Sequence, residues 1–441
     1  MKILDVRAAS FECAFQEVLA RGKMDIKNVS NIVQEILDSV QENGLAAIKA
    51  HIAQFDKWEA REFSDICITQ EQCLKAYNAL PLGLKSALHV AYDRIYAFHQ
   101  KQKEKSWIDC EANGSLLGSK LTPMERAGLY IPGGKAAYPS SLLMNAIPAI
   151  VAGVKEIVVC SPTPNNEPHS LLLAALHLCG IKEIYKVGGA SAIGLMAYGC
   201  KEVPKVDVIT GPGNIFVACA KKLVFGEVNI DMIAGPSEIA IIADKDANAR
   251  YVAYDLLSQA EHDEMASSIL ISDNLPLIES VQAHIQDILP TLSRAHIAEK
   301  SIQNRAVMIH TRSLKESIDI ANALAPEHLE ILCNEAFAVL PLIKHAGAIF
   351  LGQYSSEPIG DYLAGPNHTL PTGGSARFFS PLSVEHFMKR SSIIAFSAPA
   401  LAEMGEACAL LAQSESLQAH AQAVLTRLDS ISTRDFSKER E

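Results

Sequence analysis

Apolar positions along the chain follow two rhythms. Over the first 60 residues, and again over 70–105, the spacing is helical. Ile32, Val33, Ile36 and Val40 fall on one face of a helix expected over 26–53. Near Met124 the rhythm changes. Short apolar runs at 157–160, 184–187 and 206–210 each close on glycine or proline, with helical runs at 171–178 and 190–198 between them. A second set follows, with strands expected at 240–243, 269–272, 307–310 and 349–351 and helices at 250–261 and 327–332. Strands alternating with helices predict parallel sheets covered by helices. Two α/β units are expected, the second completed by the N-terminal helices. From Ala398 the chain is rich in Ala, Leu and Gln and reads as a separate helical tail.

Composition narrows the class. With 49% hydrophobic and 20% charged residues in 441, the chain suits a folded protein with a large core and no need of disulfides. A net charge of −11 and the absence of a dense basic run exclude a duplex-binding surface; the three lysines within 101–105 are interrupted by Gln and Glu. Ten cysteines occur without a Cys-x-x-Cys pair, and several sit inside apolar runs. They read as small buried side chains in a reducing compartment. Asp5, Arg7 and Glu12 interrupt any signal-peptide run, and no apolar stretch nears the roughly 20 residues of a membrane span. A cytoplasmic protein without nucleic-acid or membrane partners is expected.

Several clusters carry possible chemistry. In the 258–263 stretch, Gln259 and His262 are three apart and share a helix face, as two metal ligands or as a solvated helix end. Pro326 suits the first position of a helix, which puts Glu327 and His328 in its first turn. The helix dipole there disfavours imidazolium, so His328 would stay neutral and able to take a proton, with Glu327 as a base toward water. A dipole-complementing Glu beside a bystander His fits as well. Residues 358–374 combine seven Gly and Pro with Asp361, Asn367 and His368, the density of a loop with a task or of a domain crossing. Glu415 and His420, five apart, would point about 140° apart on an unbroken helix. The turns at 130–134 and 210–214 follow strand-like runs, where backbone N–H groups hold phosphate; neither these nor the 188–191 turn matches Gly-x-Gly-x-x-Gly.

Taken together, the stretches at 125–134, 139–148, 210–214, 230–238, 258–263, 325–329, 359–368 and 370–378 resemble the histidinol dehydrogenase family, in the family's order across roughly residues 120–420. The resemblance implies oxidation of L-histidinol through L-histidinal to L-histidine with two NAD reduced. It implies an α/β fold of two incomplete Rossmann-like parallel-sheet domains with small N-terminal and C-terminal helical extensions. The boundaries are 1–23 for an N-terminal extension, 24–127 with 238–378 for a large domain, 128–237 for an NAD-side domain and 379–441 for a tail. Carried over, Gln259, His262, Asp361 and His420 are the ligands of one zinc per subunit, and Glu327 and His328 are the acid–base pair. Ser237, His368 and Glu415 surround the substrate, together with Gln259, His262, His328, Asp361 and His420. Tyr130, Ser191 and Asn214 lie beside NAD. A homodimer is implied whose C-terminal tail completes the neighbour's site, provided the tail helix breaks between Glu415 and His420.

An all-nitrogen and oxygen ligand set suits zinc, and Mn or Fe bind similar groups. Two positions depart from the family. Ser191 stands where Gln is usual, so a shorter hydroxyl meets NAD, and His386 replaces another residue outside the expected site. The rival readings are a same-fold enzyme for another alcohol such as a sulfonated diol, a metal hydrolase that does not use NAD, and a non-enzymatic metal-binding protein.

Overall fold

Every residue of the strands Glu238–Ala243, Ser267–Ser272 and His328–Leu332 is buried. Such continuous burial marks parallel strands covered on both faces, where apolar runs replace in–out alternation. In the computed structural model, which describes residues 1–22, 26–133 and 139–432, these strands form the centre of a six-stranded parallel sheet. Its order is Lys2–Asp5, Val307–His310, Ser267–Ser272, Glu238–Ala243, His328–Leu332 and Ala348–Leu351. A five-stranded parallel sheet runs Glu183–Tyr185, Glu156–Cys160, Arg126–Tyr130, Val208–Thr210, Asn229–Ile230. The five-stranded order starts in the middle and reverses direction once, and the six-stranded order does the same from Glu238–Ala243 onward, Lys2–Asp5 being added at its edge, so each sheet has a switch point. These sheets belong to one compact unit, residues 1–103 with 124–387.

The 327–332 segment is a strand where the sequence pattern predicted a helix. The preceding helix Leu314–Leu324 supplies the crossover, and Pro326 follows its end instead of starting a new one. Ala325 closes that helix in the left-handed region, φ 47°, an uncommon conformation for a residue with a Cβ. The N-terminal helices also differ from expectation. Val33, Leu37, Val40 and Ile48 pack with Val158, Ile193, Met196 and Val217, so Ile26–Asn43 and Leu45–His51 cover the five-stranded sheet. The sequence grouping instead joined 24–127 to 238–378. Lys2–Asp5, placed in an extension, is an edge strand of the six-stranded sheet, and Phe15 enters that sheet's core.

The second unit holds Glu104–Pro123 and the chain from Met388. Here Met388–Ala395 and Trp107–Cys110 flank Leu116–Pro123 in an antiparallel sheet that sequence periodicity missed. The tail beyond 379 is therefore part strand. Its helices Ala398–Ser414 and Gln418–Ser432 are separated at Glu415–Leu417, where Ser416 has φ 61°.

The glycine-dense loop is tied to the N-terminus of the chain. A Cβ on Gly22 would collide with the backbone of Gly373, which itself has φ 61°. Gly22→Ala is expected to destabilise the protein by about 1–3 kcal/mol, the range for overpacking a filled site. Urea midpoints at unchanged slope check this, and a variant as stable as the parent contradicts the close approach.

Candidate active site

The strands Glu238–Ala243 and His328–Leu332 are parallel neighbours, with His328 opposite Ile239. Glu238 and His328 are their first residues, and Glu327 precedes the second. The cluster therefore gathers at the amino-terminal edge of the six-stranded sheet. Open α/β sheets more commonly bind ligands at the carboxyl edge.

Reciprocal hydrogen bonds weld this edge. The Glu238 N–H donates to Glu327 Oε2 at 2.8 Å, and the Glu327 N–H donates to Glu238 Oε1 at 3.3 Å. Glu238 also accepts from the Gly373 N–H at 3.0 Å and pairs with Arg21 Nε at 2.8 Å, every partner side chain being buried. Arg21 in turn donates to the Leu324 carbonyl at the helix end. His328 Nδ1 lies 3.0 Å from the Glu238 carbonyl oxygen. A carbonyl only accepts, so Nδ1 carries the proton and Nε2 is the basic nitrogen. Nε2 is buried without a hydrogen-bond partner among the described residues, 3.9 Å from Asp361 Oδ1. Burial holds the His328 pKa below its usual value, so the ring is neutral at pH 7. The neutrality expected from a helix dipole thus arises from desolvation in a strand. Burial raises the Glu327 carboxyl well above the ordinary range, toward the basicity of an effective general base.

Gln259 is the penultimate residue of the helix Ala249–Ala260, and His262 follows in the turn beyond it. Asp361 lies on the short helix Glu357–Tyr362. Donor atoms of His262, Glu357 and Asp361 all lie within 4.8 Å of one another. Gln259 is fully buried, and neither its amide oxygen nor its nitrogen has a hydrogen-bond partner among the described residues. Orphaned buried amides are rare, and one beside an imidazole and two carboxyls fits a cation's ligand set. Nitrogen and oxygen donors of this kind suit zinc, so the residues present fit that metal. His368 Nδ1 is 3.6 Å from Asp361 Oδ1. Burial works against ionisation of Asp361, but His368, His328 and His262 hold its carboxyl well below the usual range. Ser237, whose carbonyl accepts from the Ser267 N–H, adjoins this edge immediately before Glu238.

Tyr130, Ser191 and Asn214 gather elsewhere, at the carboxyl edge of the five-stranded sheet and its switch point, where dinucleotides commonly bind. The helices Gly189–Tyr198 and Ile215–Val224 begin here, so their positive ends fit a pyrophosphate. Each of the three side chains also makes a structural bond. Tyr130 Oη accepts from the Gly189 N–H, Asn214 caps its helix through the Phe216 and Val217 N–H groups, and Ser191 Oγ is 2.9 Å from His51 Nδ1. Gly134, last in the first glycine turn, lies outside the described residues. In the second unit, the helix break lets Glu415 and His420 line one shallow groove with Leu411 and Leu417. His386 is tied locally to Ser383.

Sequence reasoning singled out neither Glu238 nor Arg21 for a role, and it missed Glu357 with Glu330 and Asp255 behind it. A lone Glu inside the apolar His328–Leu332 run was the available signal.

The comparisons with known proteins agree with one another. The family model described as histidinol dehydrogenase matches residues 19–428. The histidinol dehydrogenase of Helicobacter hepaticus is 77% identical over 98% of this chain and 100% of its own length. That of Sulfurimonas denitrificans is 60% identical over 95% of this chain and 98% of its own. The crystal structure of histidinol dehydrogenase from Elizabethkingia anophelis superposes with a TM-score of 0.92 at 33% identity, covering 98% of this chain and 99% of that one. The chain is a member of the histidinol dehydrogenase family, NAD- and zinc-dependent oxidoreductases of amino-acid biosynthesis.

Proposed function

We propose that the buried cluster at the amino edge of the six-stranded sheet oxidises L-histidinol to L-histidine, with Glu327 and His328 handling the protons. The observation that carries this is His328: a neutral imidazole whose Nδ1–H is anchored and whose Nε2, beside Asp361, has no hydrogen-bond partner among the described residues. Gln259, His262 and Asp361 would hold zinc with His420, and Ser237, His368 and Glu415 would contact the substrate. Zinc when bound orients the substrate's amine and imidazole as a template, and NAD, held near Tyr130, Ser191 and Asn214, accepts one hydride in each oxidation.

His328 Nε2 takes the alcohol proton in the first oxidation. Glu327 takes a proton from the water that adds to the aldehyde, while His328 returns its proton to the aldehyde oxygen, which gives the neutral hydrate and frees Nε2 again. His328 then takes the hydroxyl proton of the hydrate in the second. One alcohol, one water and two NAD give a carboxylate, two NADH and three protons. No covalent nucleophile is required.

The domain roles follow the same division, with 128–237 on the NAD side and 238–378 on the metal side. A homodimer with the tail completing the neighbour's site, and a cytoplasmic location, belong to this reading. The broken helix at Glu415–Leu417 supports the tail's role, because it removes the 140° divergence. No described helix is long and apolar enough to cross a membrane. The full-length similarity to histidinol dehydrogenases disfavours another alcohol, a hydrolase or a metal-storage role.

With limiting L-histidinol, two NADH form per molecule, read by absorbance; a ratio of one contradicts the role of Glu327. His328→Ala is expected to lower kcat at least 100-fold while zinc content is retained; loss of zinc instead makes His328 a structural residue. The pH profile has a definite sign. Catalysis needs neutral His328, and burial puts its folded pKa below 6.5. The His328 contribution to kcat/KM should therefore persist as pH falls through 6.5 and be lost only below it. An acid limb centred above 6.5 and abolished by His328→Ala contradicts this.

A further inference from the structure

Three residue pairs in the cluster share one geometry. His328 and Glu330 are two apart on a strand, which puts both side chains on one face. Asp255 and Gln259 are four apart on the helix Ala249–Ala260, and Glu357 and Asp361 are four apart on the helix Glu357–Tyr362. Each outer member is a catalytic or metal-binding candidate, and each inner member is a buried carboxylic acid, Glu357 also reaching the His262 and Asp361 donor atoms.

The inner acids touch one another across the three elements. Glu330, fully buried, accepts from the Glu357 N–H at 2.7 Å and so caps the helix that carries Asp361. Its carboxyl also lies beside that of Asp255, and burial raises the pKa of both acids. Ser258, next to Gln259, shares its one hydroxyl proton between the Asp255 carbonyl at 2.8 Å and Glu357 Oε2 at 3.2 Å. A carboxyl oxygen of Glu357 in turn lies within 4.8 Å of one of Asp361. Asp255, Glu330, Glu357 and Ser258 therefore form a ring of close contacts that links all three elements, hydrogen-bonded at Glu330–Glu357 and at Ser258.

We propose that Asp255, Glu330 and Glu357 form an inner carboxyl layer that sets the spacing of Gln259, His328 and Asp361, with Glu330 as the central positioning residue. An apolar layer would pack, but it would leave the Glu357 N–H orphaned and the short helix free to slide along the sheet. Groups that hold metal ligands in place commonly change metal affinity 10- to 100-fold when removed. This inference rests on the metal and acid–base reading above.

The test compares Glu330→Met, which fills the space without accepting, with Glu330→Gln, which keeps an acceptor for the Glu357 N–H. Ser258→Ala is a milder cut in the same ring, and Val281→Ala is a buried control outside it. Zinc affinity is measured by competition with a chelator, and amide hydrogen exchange over 357–362 is followed in metal-free protein. Glu330→Met should weaken zinc about 10- to 100-fold and speed exchange over 357–362. Ser258→Ala should do so less, and Glu330→Gln should restore affinity to within about threefold of the parent. The proposal is overturned if Glu330→Met keeps parental affinity and exchange, if Glu330→Gln fails to rescue, or if Val281→Ala loses zinc equally. Should Glu330→Met not fold, Ser258→Ala and Glu330→Gln decide by the same criteria. A parent protein that binds no zinc overturns the metal reading instead, and the exchange measurement still judges the clamp.

Discussion

The site depends on how two neighbouring strands begin. Glu238 and Glu327 exchange backbone-to-carboxyl hydrogen bonds, and the Glu238 carbonyl fixes the proton of His328 on Nδ1. Because both residues sit in the hydrogen-bonded ladder of a buried sheet, the basic nitrogen of His328 is aimed by the backbone of the core. Arg21 neutralises Glu238 and ties the arrangement to the end of the helix Leu314–Leu324, while Gly373 brings the glycine-dense loop to the same carboxyl. A buried carboxylate without that guanidinium would be strongly unfavourable.

Around this anchor the protein buries an unusual amount of acid. Burial pushes Glu357 up to about 9 and raises Glu330 and Glu327 well above their ordinary values. Backbone N–H groups stabilise part of this cluster, and the proposed cation would stabilise its outer side. Gln259 and His262 give the outer side its neutral donors. The functional atoms thus belong to a polar layer inside an otherwise apolar sheet-and-helix packing.

Much of this was legible in the sequence. The strand–helix rhythm from Met124 predicted the parallel sheets, because fully buried strands read as short apolar runs closed by Gly or Pro. Gln259, His262, Asp361 and His368 stood out by residue type in glycine- or turn-rich surroundings. Glu327 and His328 were assigned the wrong element, since Pro326 suits both a helix start and the residue after a helix end. Periodicity over five residues does not separate a helix from a strand buried on both faces. The antiparallel strands Trp107–Cys110, Leu116–Pro123 and Met388–Ala395 are exposed or half-buried throughout and carry no clean alternation. Glu238, Arg21 and Glu330 were hidden for another reason. Their roles come from contacts such as Arg21 with Glu238 and Asp255 with Glu330, which join residues more than 70 positions apart.

The central claim is that one metal sits among Gln259, His262 and Asp361 beside His328. X-ray absorption of the zinc-loaded protein tests it most directly. The expected spectrum has only nitrogen and oxygen neighbours at about 2.0–2.2 Å, with imidazole scattering beyond them, and Asp361→Ala and Gln259→Ala each alter the first shell. Sulfur in the first shell, or a shell unchanged by both substitutions, would place the metal elsewhere and contradict the site.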